Sequence, residues 1–216
     1  MLKLYDYWRS SAAYRVRIGL NLKGVAYETV PVNILPGTDE QMREPYRSLN
    51  PQMRIPALET PQGLLTQSLA ILGWLDSTYK TAPFIPDDAF AAAQERAFAL
   101  TIACDIHPLN NTSTLTRIKL EFGADEDHVG EWYRHWIKLG FAALEHQAAQ
   151  RPASAYVFGE APSLADIVLV PQMANARRFD TDLTPFPRLA AWDERARAHP
   201  AFIKAAPENQ KDAVRK

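Results

Sequence analysis

The sequence predicts a two-domain chain, an α/β domain of order βαβαββα over residues 1–82 followed by an all-helical domain over residues 88–216. Three observations carry this. Up to Tyr79, stretches that alternate apolar and polar residues exchange with stretches whose apolar residues recur at three- and four-residue steps, the signatures of strand and helix. Residues 82–87 then set Pro83 and Pro86 between helical patterns, which marks a linker. Beyond the linker only the helical spacing persists.

In chain order, Leu2 to Tyr7 alternates as a strand, Ser11 to Gly24 has helical spacing, and Tyr27 to Val32 is rich in strand-forming residues. A helical stretch is expected from Asp39 to Leu49, then short strands around Ala57 to Glu59 and Gly63 to Leu65, then a helix from Gln67 to Tyr79. The second domain shows helical spacing over Phe90 to Ile106, Asp125 to Gln150, Ser163 to Arg178 and Pro187 to His199. Ser163-Leu164-Ala165-Asp166 reads as a capping box, a folding feature rather than a chemical one.

Composition narrows the function classes. With 47% hydrophobic and 23% charged residues over 216 positions, the chain is neither disordered nor fibrous. Lysine and arginine number 24 against 25 acids, so no net positive field draws nucleic acid or an anionic membrane surface. No run of 18 apolar residues spans a bilayer. The one cysteine, Cys104, forms no internal disulfide and reads as a small buried hydrophobe on a helix, and the N-terminus has no signal-peptide pattern, so a cytoplasmic location is expected.

Three junctions carry chemistry. Trp8-Arg9-Ser10-Ser11-Ala12-Ala13-Tyr14-Arg15 ends a strand and opens a helix, where free N–H groups and the helix dipole stabilise a thiolate or another anion. A plain N-cap serine accounts for the same residues. At Arg54-Ile55-Pro56-Ala57-Leu58 a proline opens a short strand. A cis bond there would turn the backbone of Ile55 outward to pair with an extended peptide, whereas residues alone favour an ordinary trans proline. Gln67-Ser68 opens another helix and makes a second anion seat, suited to a carboxylate. Two helix N-termini with a strand edge between them describe a site for a small peptide carrying an anion at one end and a sulfur at the other.

Ser10-Ser11-x-x-Tyr14-Arg15-Val16-Arg17-Ile18, Leu49-Asn50-Pro51-Gln52, Ile55-Pro56-Ala57-Leu58, Gln67-Ser68-Leu69-Ala70-Ile71 and Leu164-Ala165-Asp166-Ile167-Val168-Leu169-Val170-Pro171-Gln172 together resemble the zeta-class glutathione transferases, which include maleylacetoacetate and maleylpyruvate isomerases. The resemblance runs from about residue 2 to Pro207. It implies a thioredoxin-like first domain, a cis peptide at Pro56, glutathione as cofactor, no metal, and a homodimer. It places Ser10 and Ser11 beside the glutathione sulfur as catalytic residues, with Ala12, Ala13, Tyr14 and Arg15 completing the turn. It places Ile55 against the cysteinyl unit, Gln67 and Ser68 on the γ-glutamyl carboxylate, and His107, Asn111, Thr112 and Ser113 as further cofactor contacts from the helical domain. Many members carry a cysteine where this chain has Ala12, so the working sulfur is glutathione's own.

Reversible thiolate addition to an activated double bond is the activity implied, and Arg9 and Arg178, with Arg177 as a neighbour able to exchange with Arg178, are the expected holders of a dicarboxylic keto-acid substrate. Asn110-Asn111 followed by Thr112-Ser113 favours maleylacetoacetate, in the breakdown of aromatic compounds. Asp105-Ile106-His107-Pro108 and Arg177-Arg178-Phe179 resemble the maleylpyruvate type. Conjugation of glutathione to small α-halo acids is a further enzymatic alternative, and a non-enzymatic glutathione-fold binding module is the alternative of a different class.

Overall fold

The computed structural model describes residues 1–213. These cluster into two compact units, one made of Met1–Pro83 with the segment from Ala198 onward, the other of Phe84–Arg197.

In the first unit a four-stranded sheet of order β2-β1-β3-β4 is built from β1 (Leu2–Asp6), β2 (Tyr27–Pro31), β3 (Ala57–Thr60) and β4 (Gly63–Thr66). β1 and β2 are parallel, joined through helix α1 (Ser11–Leu22), while β3 runs antiparallel to both β1 and β4. The alternation read from the sequence is real: Leu2, Leu4 and Asp6 are buried and Lys3 and Tyr5 are not. Because Asp6 bonds Arg17 of α1, this buried row is the face that α1 covers. α1 packs against α3 (Ser68–Thr78), whose Ile71, Leu72 and Leu75 are fully buried. Past the Lys23 C-cap of α1, Gly24 takes a φ of +66° that lets Val25 N–H return to Leu20 O at 3.0 Å. The Lys23 ammonium fastens that end, donating to Asp76 at 2.7 Å and to the carbonyls of Thr81 and Ala82 at 2.9 and 3.0 Å.

Two departures from the sequence reading fall in this unit. The helix expected over Asp39–Leu49 is a 3-10 turn at Glu40–Met42 and a single-turn helix α2 (Tyr46–Leu49), because Pro45 between them offers no N–H to a continuous ladder. The segment from Ala198 onward, expected in the helical domain, packs with the first unit. Its short helix α9 (Pro200–Ala205) lies on α1, where Asn21 donates to Ala201 O and Arg17 to Ala205 O, the carbonyl left open at the end of α9. Residues 214–216, the end of the expected second domain, lie outside the described residues.

The second unit is helical, as expected: α4 (Ala89–Leu100), continuing as a π-helical stretch over Thr101–Ile106, then α5 (Thr112–Phe122), α6 (Glu126–Ala149), α7 (Leu164–Arg178) and α8 (Pro187–Arg197). Ile102, Ile106, Ile137, Phe141, Leu144, Ile167, Val168 and Leu189 are fully buried. α6 approaches the π-helical stretch so closely at Gly140 that a Cβ there would collide with the Ile106 side chain. Cys104 is exposed rather than buried, since Ile102 and Ile106 take the inner side of that stretch.

The capping box of α7 is present: Ser163 Oγ accepts from Ala165 N–H, and Asp166 accepts from Ser163 N–H at 2.9 Å and from Val157 N–H at 3.1 Å. Glu95 accepts from Leu164 N–H at 2.8 Å, so two buried carboxylates serve the start of one helix. Asp166→Ala would strand two buried N–H groups, at roughly 1–3 kcal/mol each. We expect a loss of about 3 kcal/mol in denaturant unfolding. Burial pushes the Asp166 carboxyl up to about 7, against the hydrogen bonds that pull it down. The folded state therefore holds this proton more tightly than the unfolded chain, where aspartate titrates near ~3.9. The stability it contributes is full below that value and disappears as pH rises through about 7. Asp166→Asn should flatten the fall in stability between about pH 4 and pH 7.

Candidate active site

Strand register places three chain segments at one edge of the first unit. Tyr5 pairs with Ala57 and Ala57 with Thr66, so the exits of β1 and β4 and the entry of β3 share one row of the sheet. Strands lie about 4.8 Å apart, so the row from β1 to β4 spans roughly 10 Å. Tyr7–Ser11, Arg54–Pro56 and Gln67–Ser68 extend from it in that order. The N-termini of α1 and α3 thus flank the entry of β3, and Arg15 Nη1 of α1 donates to Ser68 Oγ of α3 at 3.4 Å, linking the two.

At the first segment, Ser10 is the N-cap of α1, its Oγ accepting from Ala13 N–H at 3.2 Å. The helical ladder begins with Tyr14 N–H donating to Ser10 O at 2.8 Å, so the positive end of α1 lies at Ser10, Ser11 and Ala12. Ser10 keeps its hydroxyl proton as a donor while accepting with its oxygen. Ala13, Tyr14 and Arg15 are buried under this turn, with Ala13 N–H used by the cap and Tyr14 N–H by the ladder. The Arg9 guanidinium lies over the Trp8 ring, 5.5 Å from its centroid.

At the second, the Ile55–Pro56 bond is cis, as the resemblance implies and the residues alone do not. Two groups that the sequence reading gave no role fix the approach to it: Tyr46 Oη at 2.5 Å and Asn50 Nδ2 at 2.7 Å both donate to Arg54 O. Burial pushes the Tyr46 hydroxyl up to about 12, so it remains a donor at neutral pH.

At the third, Gln67 caps the start of α3 with φ +66° and ψ 115°, a positive φ that a side chain adopts only at a cost of about 1–3 kcal/mol. Its amide donates to Gln52 at 3.1 Å, and Ser68 is buried at the first position of the helix. Gln67, with its strained backbone, thus opens α3 beside the buried Ser68 and Arg15, at the positive end of that helix.

The remaining sequence-selected residues belong to the second unit. His107 ends the π-helical stretch. Asn111 caps α5, its side-chain oxygen taking Ser113 N–H at 3.1 Å and Ser113 Oγ at 3.2 Å, and Thr112 opens that helix. This loop is fastened to α6 by Asn110 Nδ2 on Tyr133 O and Trp132 Nε1 on Leu109 O. At the end of α7 the two arginines part company. Arg177 donates through both Nη atoms to buried Asp193 at 2.8 Å, with Arg197 adding a third bond at 3.0 Å, so it is part of an ion-pair cluster. Arg178 lies 4.8 Å from the Phe179 ring, which stacks on Tyr133. Burial pushes the Tyr133 hydroxyl up to about 12, with the Arg178 charge pulling the other way.

The comparisons with known proteins agree with this geometry. The family model for the glutathione S-transferase N-terminal domain matches residues 4–83, and that for the C-terminal domain residues 130–195. A probable maleylacetoacetate isomerase of Vibrio cholerae is 46% identical over 98% of both chains. A holo structure of maleylpyruvate isomerase, a bacterial zeta-class glutathione S-transferase, is 44% identical with TM-score 0.95, over 98% of this chain and 100% of that one. A maleylacetoacetate isomerase from Methylobacterium extorquens AM1 with bound malonate and glutathione is 34% identical with TM-score 0.94, over 99% of this chain and 100% of that one. The chain belongs to the glutathione S-transferase family, in the zeta-class branch of maleylacetoacetate and maleylpyruvate isomerases.

Proposed function

We propose that this protein is a glutathione-dependent cis–trans isomerase of a maleyl-type dicarboxylic keto acid, converting maleylacetoacetate to its fumaryl isomer in the breakdown of aromatic compounds. The observation that carries the reading is the single edge of the first unit on which Ser10, Ile55 and Ser68 converge, with Arg15 linking the two helix N-termini. Those residues fit the cofactor: a hydroxyl and a helix N-terminus for its sulfur, an extended backbone for its peptide, and a helix N-terminus with Gln67 and Ser68 for its carboxylate.

When bound, glutathione supplies a thiolate that adds reversibly to the activated double bond, allowing rotation, and is released unchanged. Ser10 donates to that sulfur while the dipole of α1 favours its anionic form, which lowers a thiol from its usual ~8.5 toward neutrality. Arg9 and Arg178 hold the substrate's carboxylate and keto oxygens, where negative charge develops. His107, Asn111, Thr112 and Ser113 remain proposed cofactor contacts. A homodimer and a cytoplasmic location complete the proposal, and light scattering tests the first. Among the described residues no helix is long and apolar enough to cross a membrane.

Steady-state assays with maleylacetoacetate and maleylpyruvate test the substrate. The Thr112-Ser113 pair favours the first, and the Asp105–Pro108 and Arg177–Phe179 runs favour the second. Arg178→Ala is expected to raise KM for the keto acid about 10-fold or more, the value of a hydrogen bond to a charged group. Arg177→Ala should instead lower stability, since Asp193 is left buried with one partner fewer. Equal KM values in Arg178→Ala and the parent would remove Arg178 from the site.

A further inference from the structure

We propose that Asp212 is a positioning residue for the turn that carries Ser10, and that the C-terminal segment thereby completes the site of the first unit. The proposal rests on the glutathione reading above. Tyr7 to Ser10 form a turn closed by Ser10 N–H donating to Tyr7 O at 2.9 Å. In such a turn the N–H and C=O of the second residue have no partner inside it, and left to water they let the peptide rock. Here that residue is Trp8, and charged side chains grip both groups. Its N–H donates to Asp212 Oδ2 at 3.2 Å, and its C=O accepts from Arg17 Nη2 at 2.9 Å.

The second grip is itself anchored. Arg17 is fully buried, bonded through Nη1 to both Asp6 oxygens at 2.7 and 2.8 Å and through Nε to Ala205 O at 2.9 Å. The C-terminal segment therefore meets the turn twice, directly at Asp212 and through Arg17 at Ala205. Arg9 and Ser10 follow Trp8 immediately, so rocking of the Trp8 peptide displaces both the guanidinium and the hydroxyl. The charged groups around the turn are Asp6, Arg9, Arg17 and Asp212. Asp212 is joined to it across 204 residues of sequence.

The test is an ultraviolet titration of the thiolate of glutathione bound to the full chain, beside kcat and KM. Asp212→Ala should raise the thiol pKa by about half a unit to one unit and lower kcat at neutral pH about 1.5- to 3-fold, with KM for glutathione unchanged within about twofold. Asp212→Asn keeps an acceptor for Trp8 N–H and should restore parental values. An unchanged thiol pKa in Asp212→Ala overturns the proposal. So does a lowered pKa in both variants, the mark of a carboxylate acting only as a nearby negative charge. A parent protein that forms no thiolate with glutathione sinks the glutathione reading itself, a different result from either.

Discussion

Ser10→Ala is expected to lower the isomerase rate about 100-fold at neutral pH, the scale found when one preorganised donor to a developing or bound anion is removed. Ser10 is both the N-cap of α1, accepting from Ala13 N–H, and a hydroxyl at the positive end of that helix. Alanine removes both functions. Loss of the cap costs about 1 kcal/mol of stability, which leaves the fold intact. Loss of the donor raises the thiol toward its free value of about 8.5, so a smaller fraction is thiolate at neutral pH. Activity in the variant should therefore recover as pH rises toward that value, while the parent is already near its plateau. A pH–rate profile of the two proteins separates this from simple misfolding, and an unchanged rate in Ser10→Ala removes the serine from the mechanism.

Arg17→Met carries the largest expected effect on stability, about 3–5 kcal/mol, because it leaves a buried partner without its counter-charge. Arg17 and Asp6 are both fully buried, and their ion pair joins β1 to α1 while Arg17 also serves the carbonyls of Trp8 and Ala205. Burial already pushes the Asp6 carboxyl above its ordinary range, with Arg17 pulling it back. Without the guanidinium the acid takes up a proton and two carbonyls lose a donor. At roughly 2–4 °C per kcal/mol for a chain of this size, thermal unfolding should begin about 10 °C lower. The double variant Asp6→Leu/Arg17→Met should recover part of the loss, since a buried pair replaced by apolar groups can approach neutrality. A single variant within 1 kcal/mol of the parent, an allowance of the size expected for a surface change, contradicts this role.

Much of this was legible in the sequence where the physics is local. Alternation in Leu2–Tyr7, spacing in Ser11–Gly24 and the Ser163–Asp166 box each depend on neighbours within a turn or a strand, and each is where it was expected. Helix α5 carries Leu115, Ile118 and Phe122 at helical steps, but it is short, none of its residues is buried, and Leu120 and Phe122 are exposed, so its pattern is weak beside those of the core helices. α9 is too short for periodicity to show, and Pro45 divides a pattern that otherwise reads as one helix. Ser10, Ile55 and Ser68 were readable as strand-to-helix junctions and a strand-opening proline. The groups that hold those junctions were not. Tyr46, Asn50, Arg17 and Asp212 act on backbone groups up to 204 residues away, and a carbonyl leaves no trace in residue type. Arg177 and Arg178 are neighbours in sequence but about 100° apart around a helix, and only the position of Asp193 separates their roles.

On the proposal made here, glutathione held on the edge formed by Ser10, Ile55 and Ser68 works as a recycled thiolate. The most direct test is isomerisation of maleylacetoacetate with glutathione far below the substrate concentration, following product and free thiol together. Many turnovers per glutathione are expected, with free thiol constant throughout. Conversion without glutathione, or loss of one thiol for each substrate consumed, would contradict it.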